Sequence, residues 1–218
     1  MSVNIKKLGN LNHTESFLQV NTVQGFKYID KAGEIINRYS DNPSFVPLHI
    51  DVNGLMIKKP MVKVEDLKVD SYSVWMKFIE IDSLDMMANI FTKETREILN
   101  ILSIEKINRI GWRNNFVYEL RGSSDLKKYM DKITFIEGTS PIGYALEVGK
   151  GGGGDLKGNL FFQPVIKNND EKTPGILFDI DVFEVGNFNM EDVCKHLEKY
   201  RRYLTSGDGF LNVINRFF

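Results

Sequence analysis

The sequence contains very little cysteine, since Cys194 is the only one among 218 residues. A single cysteine excludes an intramolecular disulfide and a cysteine-rich zinc site. We place Cys194 on the apolar side of a predicted helix, where a buried, unreactive thiol is expected. The three histidines show no spacing typical of a catalytic or metal-ligating set. The sequence therefore favours a protein that is not an enzyme and has no catalytic residue, bound metal or cofactor.

An excess of charge of one sign is also lacking, because 28 Lys and Arg residues face 29 Asp and Glu residues. Proteins that bind nucleic acids usually carry a basic excess, which neutralises phosphates. No run approaches the roughly 18 apolar residues of a membrane helix, and the N-terminus lacks the apolar stretch of a secretory signal. We therefore expect a cytoplasmic protein that has no membrane partner and is unlikely to bind nucleic acid.

Apolar residues are plentiful enough for a core, with 42% hydrophobic and 11% aromatic residues. A chain of this length can bury most of its apolar surface without disulfides or metals. Residues 1–15 are polar and show no period, which predicts a loose N-terminal lead-in. Residues 16–218 are expected to form a single domain.

Three helices are predicted from apolar spacing and from capping residues. The first has an apolar stripe at Phe26, Ile29, Gly33, Ile36 and Tyr39. Ser83 is expected to cap the second helix, and Asn189 the third, near the C-terminus. The stripe of the third helix contains Met190, Val193, Leu197, Tyr200 and Leu204.

A β-hairpin is predicted around the Asn-Gly dipeptide at residues 53–54. Asn-Gly favours a two-residue turn with positive φ at both central positions. In that register Val52 faces Leu55, and Ile50 faces Ile57.

Further strands are predicted from β-branched and aromatic residues at 17–23, 72–81, 107–120, 133–136, 142–148, 159–166 and 175–185. The glycine-rich residues 149–154 lack the Ser or Thr of a P-loop and are expected to form a hairpin tip. Because strands in the second half follow one another through short connections, they should pair antiparallel. The predicted fold class is α+β, with a largely antiparallel sheet packed against two or three helices, including a C-terminal helix.

Two arginines flank a glycine in one predicted strand. Arg109, Gly111 and Arg113 alternate along the chain and therefore share one face of that strand. Two guanidinium groups on one face could seat an anion. The favoured structural interpretation is that they pair with carboxylates on a neighbouring strand, for which Asp179 and Asp181 are the candidates.

The acidic cluster of the late strand allows a second chemistry. Asp179 and Asp181 are two residues apart and share a face. Together with Glu184 they could hold Mg²⁺ or Mn²⁺, as in hydrolases and nucleases. Alternatively, the two aspartates line a solvated or ion-paired face while Ile180 and Val182 pack inward.

Residues 109–113 (R-I-G-W-R), residues 178–182 (F-D-I-D-V) and a closing helix that ends at Phe210 form a recognisable combination. It resembles a sporadically distributed, uncharacterised bacterial family with an R-I-G-x-R strand and a late D-x-D strand. The chain departs from that pattern at residues 114–116, where Asn-Asn-Phe replaces Tyr-Ile-Asn. The resemblance implies a patchy distribution among bacteria, as for accessory genes on mobile elements, rather than a known reaction.

The leading functional hypothesis is a non-enzymatic bacterial protein that acts by binding another protein or a second copy of itself. Aromatic residues are numerous enough that some should lie at an interface: Trp75, Trp112, Phe217 and Phe218. One alternative is a small anionic ligand, bound by Arg109 and Arg113 in a cavity between the sheet and a long helix. The other is a metal-dependent hydrolase or nuclease that uses Asp179 and Asp181.

Overall fold

The computed structural model describes residues 11–23, 25–120, 125, 144–149, 157–166, 174–205 and 210. The strands described there are β1 (Leu11–Asn21), β2 (Val46–Asp51), β3 (Gly54–Met61), β4 (Val64–Val69), β5 (Ser73–Ile79), β6 (Lys106–Glu119), β7 (Tyr144–Gly149), β8 (Lys157–Ile166) and β9 (Pro174–Asn189). The helices whose bounds are described are α1 (Lys27–Asn37), α2 (Leu84–Ile101) and α3 (Val193–Thr205), and a 3₁₀ turn at Met190–Asp192 precedes α3.

The described strands form one nine-stranded sheet in the order β2-β3-β4-β5-β1-β6-β9-β8-β7. Every neighbouring pair is antiparallel. The predicted α+β class with an antiparallel sheet is confirmed, including the helix towards the C-terminus. The pairing of β7 with β8 also confirms the predicted antiparallel neighbours around the glycine-rich segment, although residues 150–156 lie outside the described residues.

The three helices form a layer on one side of the sheet, which we call the helix face. α1 packs on β2 and β3, α2 contacts β5, and α3 lies over β6 and β9. Alternate residues of β1, β3 to β6 and β9 supply the core under this layer, because successive side chains of a strand point to opposite faces. Leu18, Trp112 and Val182 are neighbours across β1, β6 and β9, and all three are fully buried. No helix in the described part of the chain is both long and apolar enough to cross a bilayer.

The N-terminal boundary and the apolar stripe of α1 differ from the sequence-based expectation. Residues 11–15, predicted to belong to the irregular lead-in, form the start of β1. The buried side chains of α1 are Tyr28, Ala32 and Ile35, whereas Phe26 and Ile29 are exposed. Both sets of residues have helical spacing. The set that faces the sheet contains Tyr28, whose hydroxyl donates a hydrogen bond of 2.6 Å to the backbone carbonyl of Asp51 in β2.

The β2–β3 hairpin exists, but its predicted register was wrong. Asp51 pairs with Gly54, so Val52 and Asn53 form the turn. Gly54 has a φ of 134° and packs so closely on β4 that a Cβ there would lie 2.9 Å from the carbonyl oxygen of Val69. The glycine is therefore required by the approach of the next strand and not by the centre of the turn.

Other expectations were mixed. Four residues of the predicted third stripe are buried in α3: Val193, Leu197, Tyr200 and Leu204. The fifth, Met190, is half-buried in the preceding 3₁₀ turn. Cys194 is exposed, contrary to prediction, because it lies one residue beyond that stripe. The strand at residues 64–69 was missed, because its charged residues interrupt the apolar pattern. The predicted strand at 133–136 lies outside the described residues.

The predicted cap of α2 is confirmed, because the Ser83 side chain accepts a hydrogen bond from the backbone N–H of Met86 at 3.1 Å. Replacing an N-cap serine by alanine leaves a helix-terminal N–H without this partner, and typically costs about 1 kcal/mol. We expect Ser83→Ala to lower the free energy of unfolding by about that amount in urea titrations. Ser83→Thr keeps the hydroxyl and should restore most of the loss; equal loss in both variants would contradict the capping role.

Candidate functional site

The face of the sheet opposite the three helices, which we call the outer face, contains a glycine near its centre. Trp75, Gln19, Gly111 and Phe183 are successive partners across β5, β1, β6 and β9. Gly111 has no side chain in this row. The missing side chain lets the guanidinium of Arg109 lie over Gly111, and a depression remains between it and the aromatic residues of β1 and β5.

The depression is a cavity of about 200 Å³, which we call the hollow. Two aromatic rings, two guanidinium groups, one carboxylate and one amide surround Gly111, contributed by Phe17, Trp75, Arg109, Arg113, Asp181 and Gln19. These side chains come from four adjacent strands, β5, β1, β6 and β9. The hollow thus combines two aromatic side chains with hydrogen-bond donors and acceptors.

Arg109 occupies the space that a side chain at position 111 would fill. A Cβ on Gly111 would lie 2.6 Å from Nη1 of Arg109. The guanidinium carbon lies 4.7 Å from the centre of the Phe183 ring, a cation–π geometry. Its Nη2 is 3.4 Å from Oδ2 of Asp181, which is a long contact for a hydrogen bond.

Arg113 is held more firmly than Arg109. Its Nε donates to Oδ1 of Asp179 at 2.8 Å, and its Nη2 donates to Oδ2 of the same carboxylate. The two bonds form a bidentate pair, the stronger arrangement for arginine and a carboxylate. The predicted pairing of the two arginines with Asp179 and Asp181 is therefore confirmed.

The location that the sequence suggested for an anion site was wrong. Arg109 and Arg113 lie on the outer face and not between the sheet and a helix. The reason is the alternation of β6, in which Trp112 faces the helices and its two neighbours face away. Each guanidinium already faces a carboxylate, so the pair does not leave two free positive charges for an anion.

Asp181 is the less completely paired of the two aspartates. Burial raises its pKa above the ordinary value, against the opposing charges of Arg109 and Arg113. Its carboxylate borders the hollow, whereas Asp179 is engaged bidentately by Arg113. Asp181 can therefore accept further hydrogen bonds from a ligand.

The aromatic wall of the hollow is supported by a charge network. Lys77 lies 2.8 Å from Glu65 and 2.9 Å from Glu15, and these hydrogen bonds raise the pKa of the lysine. Its ammonium lies 5.8 Å from the centre of the Phe17 ring. Phe17 in turn meets Trp75 edge to face, with ring centres 6.1 Å apart.

The three carboxylates considered for a metal ion do not share one face of the sheet. Asp179 and Asp181 share the outer face, but Glu184 lies on the helix face, where Lys199 and His196 each contact it at 2.6 Å. Burial disfavours the charged form of Glu184, yet these two hydrogen bonds hold its pKa below the ordinary value. Within the residues described, no three His, Cys, Asp or Glu side chains group closely enough to hold a metal ion.

The four predicted interaction residues have different positions. The prediction that Trp112 lies at an interface was wrong, because its side chain is fully buried on the helix face. Trp75 is half-buried and lines the hollow. Phe217 and Phe218 lie outside the described residues.

Phe17 and Gln19 were not predicted as site residues. They alternate on the predicted strand at 17–23, which placed them on one face. The sequence gives no indication that this strand lies between β5 and β6.

A second polar cluster lies on the helix face. His13 Nε2 is 2.8 Å from Ser16 Oγ, which donates to Asn114 Oδ1 at 2.6 Å. Ser16 and Asn114 are fully buried, so this His–Ser pair is not open to a substrate. Burial lowers the pKa of His13 to about 4.

The chain matches no protein-family model, and a search of curated proteins finds no significant match. Its function is therefore inferred from the contacts of the described residues. The hollow over Gly111 brings aromatic, cationic, anionic and amide side chains together.

The depressed pKa of His13 predicts a loss of stability in mild acid. As the pH falls below 6.5, the unfolded chain binds a proton that the folded chain does not bind until about pH 4. Stability should decrease in this window by up to about 1.4 kcal/mol per pH unit from this residue. Urea unfolding of His13→Gln should show a shallower pH dependence there, while His49→Gln, at an exposed position, should follow the wild type. Equal slopes in all three proteins would contradict the assignment.

Proposed function

We propose that the protein is a non-catalytic binding protein that holds a small planar ligand in the hollow over Gly111. The supporting observation is a gap in the middle of the outer face, bordered by the rings of Phe17 and Trp75. Aromatic side chains offer apolar contact to a ligand ring, and a few convergent polar groups are typical of ligand sites.

The size of the hollow limits the ligand. Its volume of about 200 Å³ is below the roughly 300–1,000 Å³ of pockets for drug-sized molecules. A ligand with one ring system fits a volume of about 200 Å³ better than a cofactor with several rings. Parts of the ligand beyond the ring would extend into solvent.

The charge of the hollow also limits the ligand. A bare anion would approach the carboxylate of Asp181 and would compete with it for Arg109. A ligand that presents both donors and acceptors can instead satisfy the carboxylate and the guanidinium together. The geometry therefore favours a neutral, planar, polar ring over the simple anion expected from the two arginines.

The test uses a single methyl group to displace the guanidinium of Arg109 from its place over Gly111. Gly111→Ala places a Cβ within 2.6 Å of Arg109 Nη1 and should weaken the binding of planar probes by about tenfold or more. Suitable probes are quinazolin-4-one, benzamide and benzoate. Their binding is measured by ligand-detected NMR and by tryptophan fluorescence.

Gly33→Ala is the matched control, because a Cβ at Gly33 meets no atom within 4 Å. It should leave binding unchanged and stabilise α1 by about 1 kcal/mol. Probes that bind Gly111→Ala as well as the wild type, or no binding of any probe, would contradict the proposed function.

A second candidate function is the binding of a protein partner or of a second copy through β2, in a bacterial cytoplasmic protein. β2 is an edge strand, and all six of its residues are exposed. The exposed fractions of Val46, Leu48 and Ile50 are 48%, 51% and 47%. An exposed strand edge with apolar side chains is a common place for an added strand.

If β2 mediates association, a charge on it should oppose association. Ile50→Lys is expected to raise the concentration at which dimers appear by about tenfold or more, as measured by size exclusion with light scattering. Val62→Lys, at a 79% exposed turn position between β3 and β4, is the control. A monomer at all concentrations for the wild type would argue against self-association.

A further inference from the structure

We infer that the ring bound in the hollow is a nucleobase of the guanine type, with N–H donors beside a carbonyl oxygen. This inference rests on the proposed function and specifies its ligand class. It depends on the adjacent positions of Asp181 and Arg109 at the hollow.

Asp181 supplies the acceptors. Its hydrogen bond from Arg109 is long, at 3.4 Å, and its carboxylate borders the hollow. A carboxylate can accept two parallel N–H bonds. The N1–H and the amino group of guanine are two neighbouring donors on one edge of the ring.

Arg109 supplies the donors beside that carboxylate. Its long contact with Asp181 leaves most of the guanidinium N–H groups available to a ligand. The O6 atom of guanine is an acceptor next to N1–H, and arginine is the commonest partner of this oxygen in nucleic-acid recognition. The guanidinium is held in place by the Phe183 ring at 4.7 Å, so the donor is positioned before the ligand binds.

The same pair of side chains disfavours the other bases. Adenine presents an acceptor at N1, which the carboxylate of Asp181 would repel. The pyrimidines have one ring and would leave part of the walls formed by Phe17 and Trp75 uncovered. Stacking on these walls is tolerant of base identity, so the selectivity is assigned to Asp181 and Arg109.

The balanced charges of the outer face favour a free nucleoside or nucleotide over a nucleic-acid strand. Lys77 is paired with Glu15 and Glu65, and Arg113 is paired with Asp179. Phosphates along a strand would find these cations already neutralised, and a strand gains its affinity largely from phosphate contacts.

The inference is tested by titrating the full chain with GMP, guanosine, AMP, CMP, UMP and inorganic phosphate. Tryptophan fluorescence is a direct signal, since Trp75 lines the hollow and Trp112 is buried. GMP and guanosine should bind with similar affinity, at least about tenfold more tightly than AMP, CMP or UMP, and phosphate should not bind. A short single-stranded RNA that contains one guanine distinguishes a free nucleotide from a strand as the ligand. Affinity equal to that of GMP indicates the free nucleotide, whereas much tighter, salt-dependent binding indicates a strand.

Asp181→Asn should reduce guanosine binding about tenfold or more and remove the preference over adenosine. Asp41→Asn is the control, because it makes the same change of charge at an exposed position after α1, away from the hollow, and it should keep guanosine binding. Binding of quinazolin-4-one that depends on Gly111, without binding of any guanine compound, would overturn this inference and leave the proposed function standing. No Gly111-dependent binding of any probe would overturn both.

Discussion

The register of β6 between β1 and β9 determines both faces of the molecule. In the middle of this strand, alternate side chains pack beneath the helices, and the intervening residues Arg109, Gly111 and Arg113 face outward. A slip of one residue would expose Trp112 and bury two charged groups, because a strand has a side-chain period of two. The core under α3 and the hollow on the outer face therefore depend on the same pairing.

Local patterns were sufficient to predict the fold class, the antiparallel sheet and the pairing of the two arginines with Asp179 and Asp181. The antiparallel sheet was predicted from the short connections between strands, and the ion pairs from alternation, which puts the two arginines on one face of their strand and the two aspartates on one face of theirs. The hollow could not be predicted, because it requires Phe17 and Trp75 to lie beside Gly111, and strand order is a non-local property. The stripe of α1 was mistaken for a similar reason: two stripes have helical spacing, and only packing on β2 and β3 distinguishes them.

The outer face is rich in charges that are largely paired with one another. Arg113 with Asp179, and Lys77 with Glu15 and Glu65, form ion pairs across adjacent strands. Such pairs contribute modestly to stability, but they fix side chains around the aromatic wall. A ligand there would be selected by the match of donors and acceptors and by ring shape, with little long-range attraction.

The position of β1 at the middle of the sheet affects the order in which the protein can fold. Leu18 pairs with Met76 in β5 and with Trp112 in β6, which are 58 and 94 residues later in the chain. The strands β2 to β5 can pair as successive hairpins while the chain is being synthesised, but β1 cannot be enclosed until β6 has left the ribosome. β1 is made before both of its neighbours and is thus among the last strands to be completed. It joins the successive hairpins of β2 to β5 to a second half in which β6 must itself wait for β9, since Arg113 pairs with Asp181, 68 residues later. Contacts of such long range slow folding, so the apolar side of β1 stays exposed to other chains during synthesis.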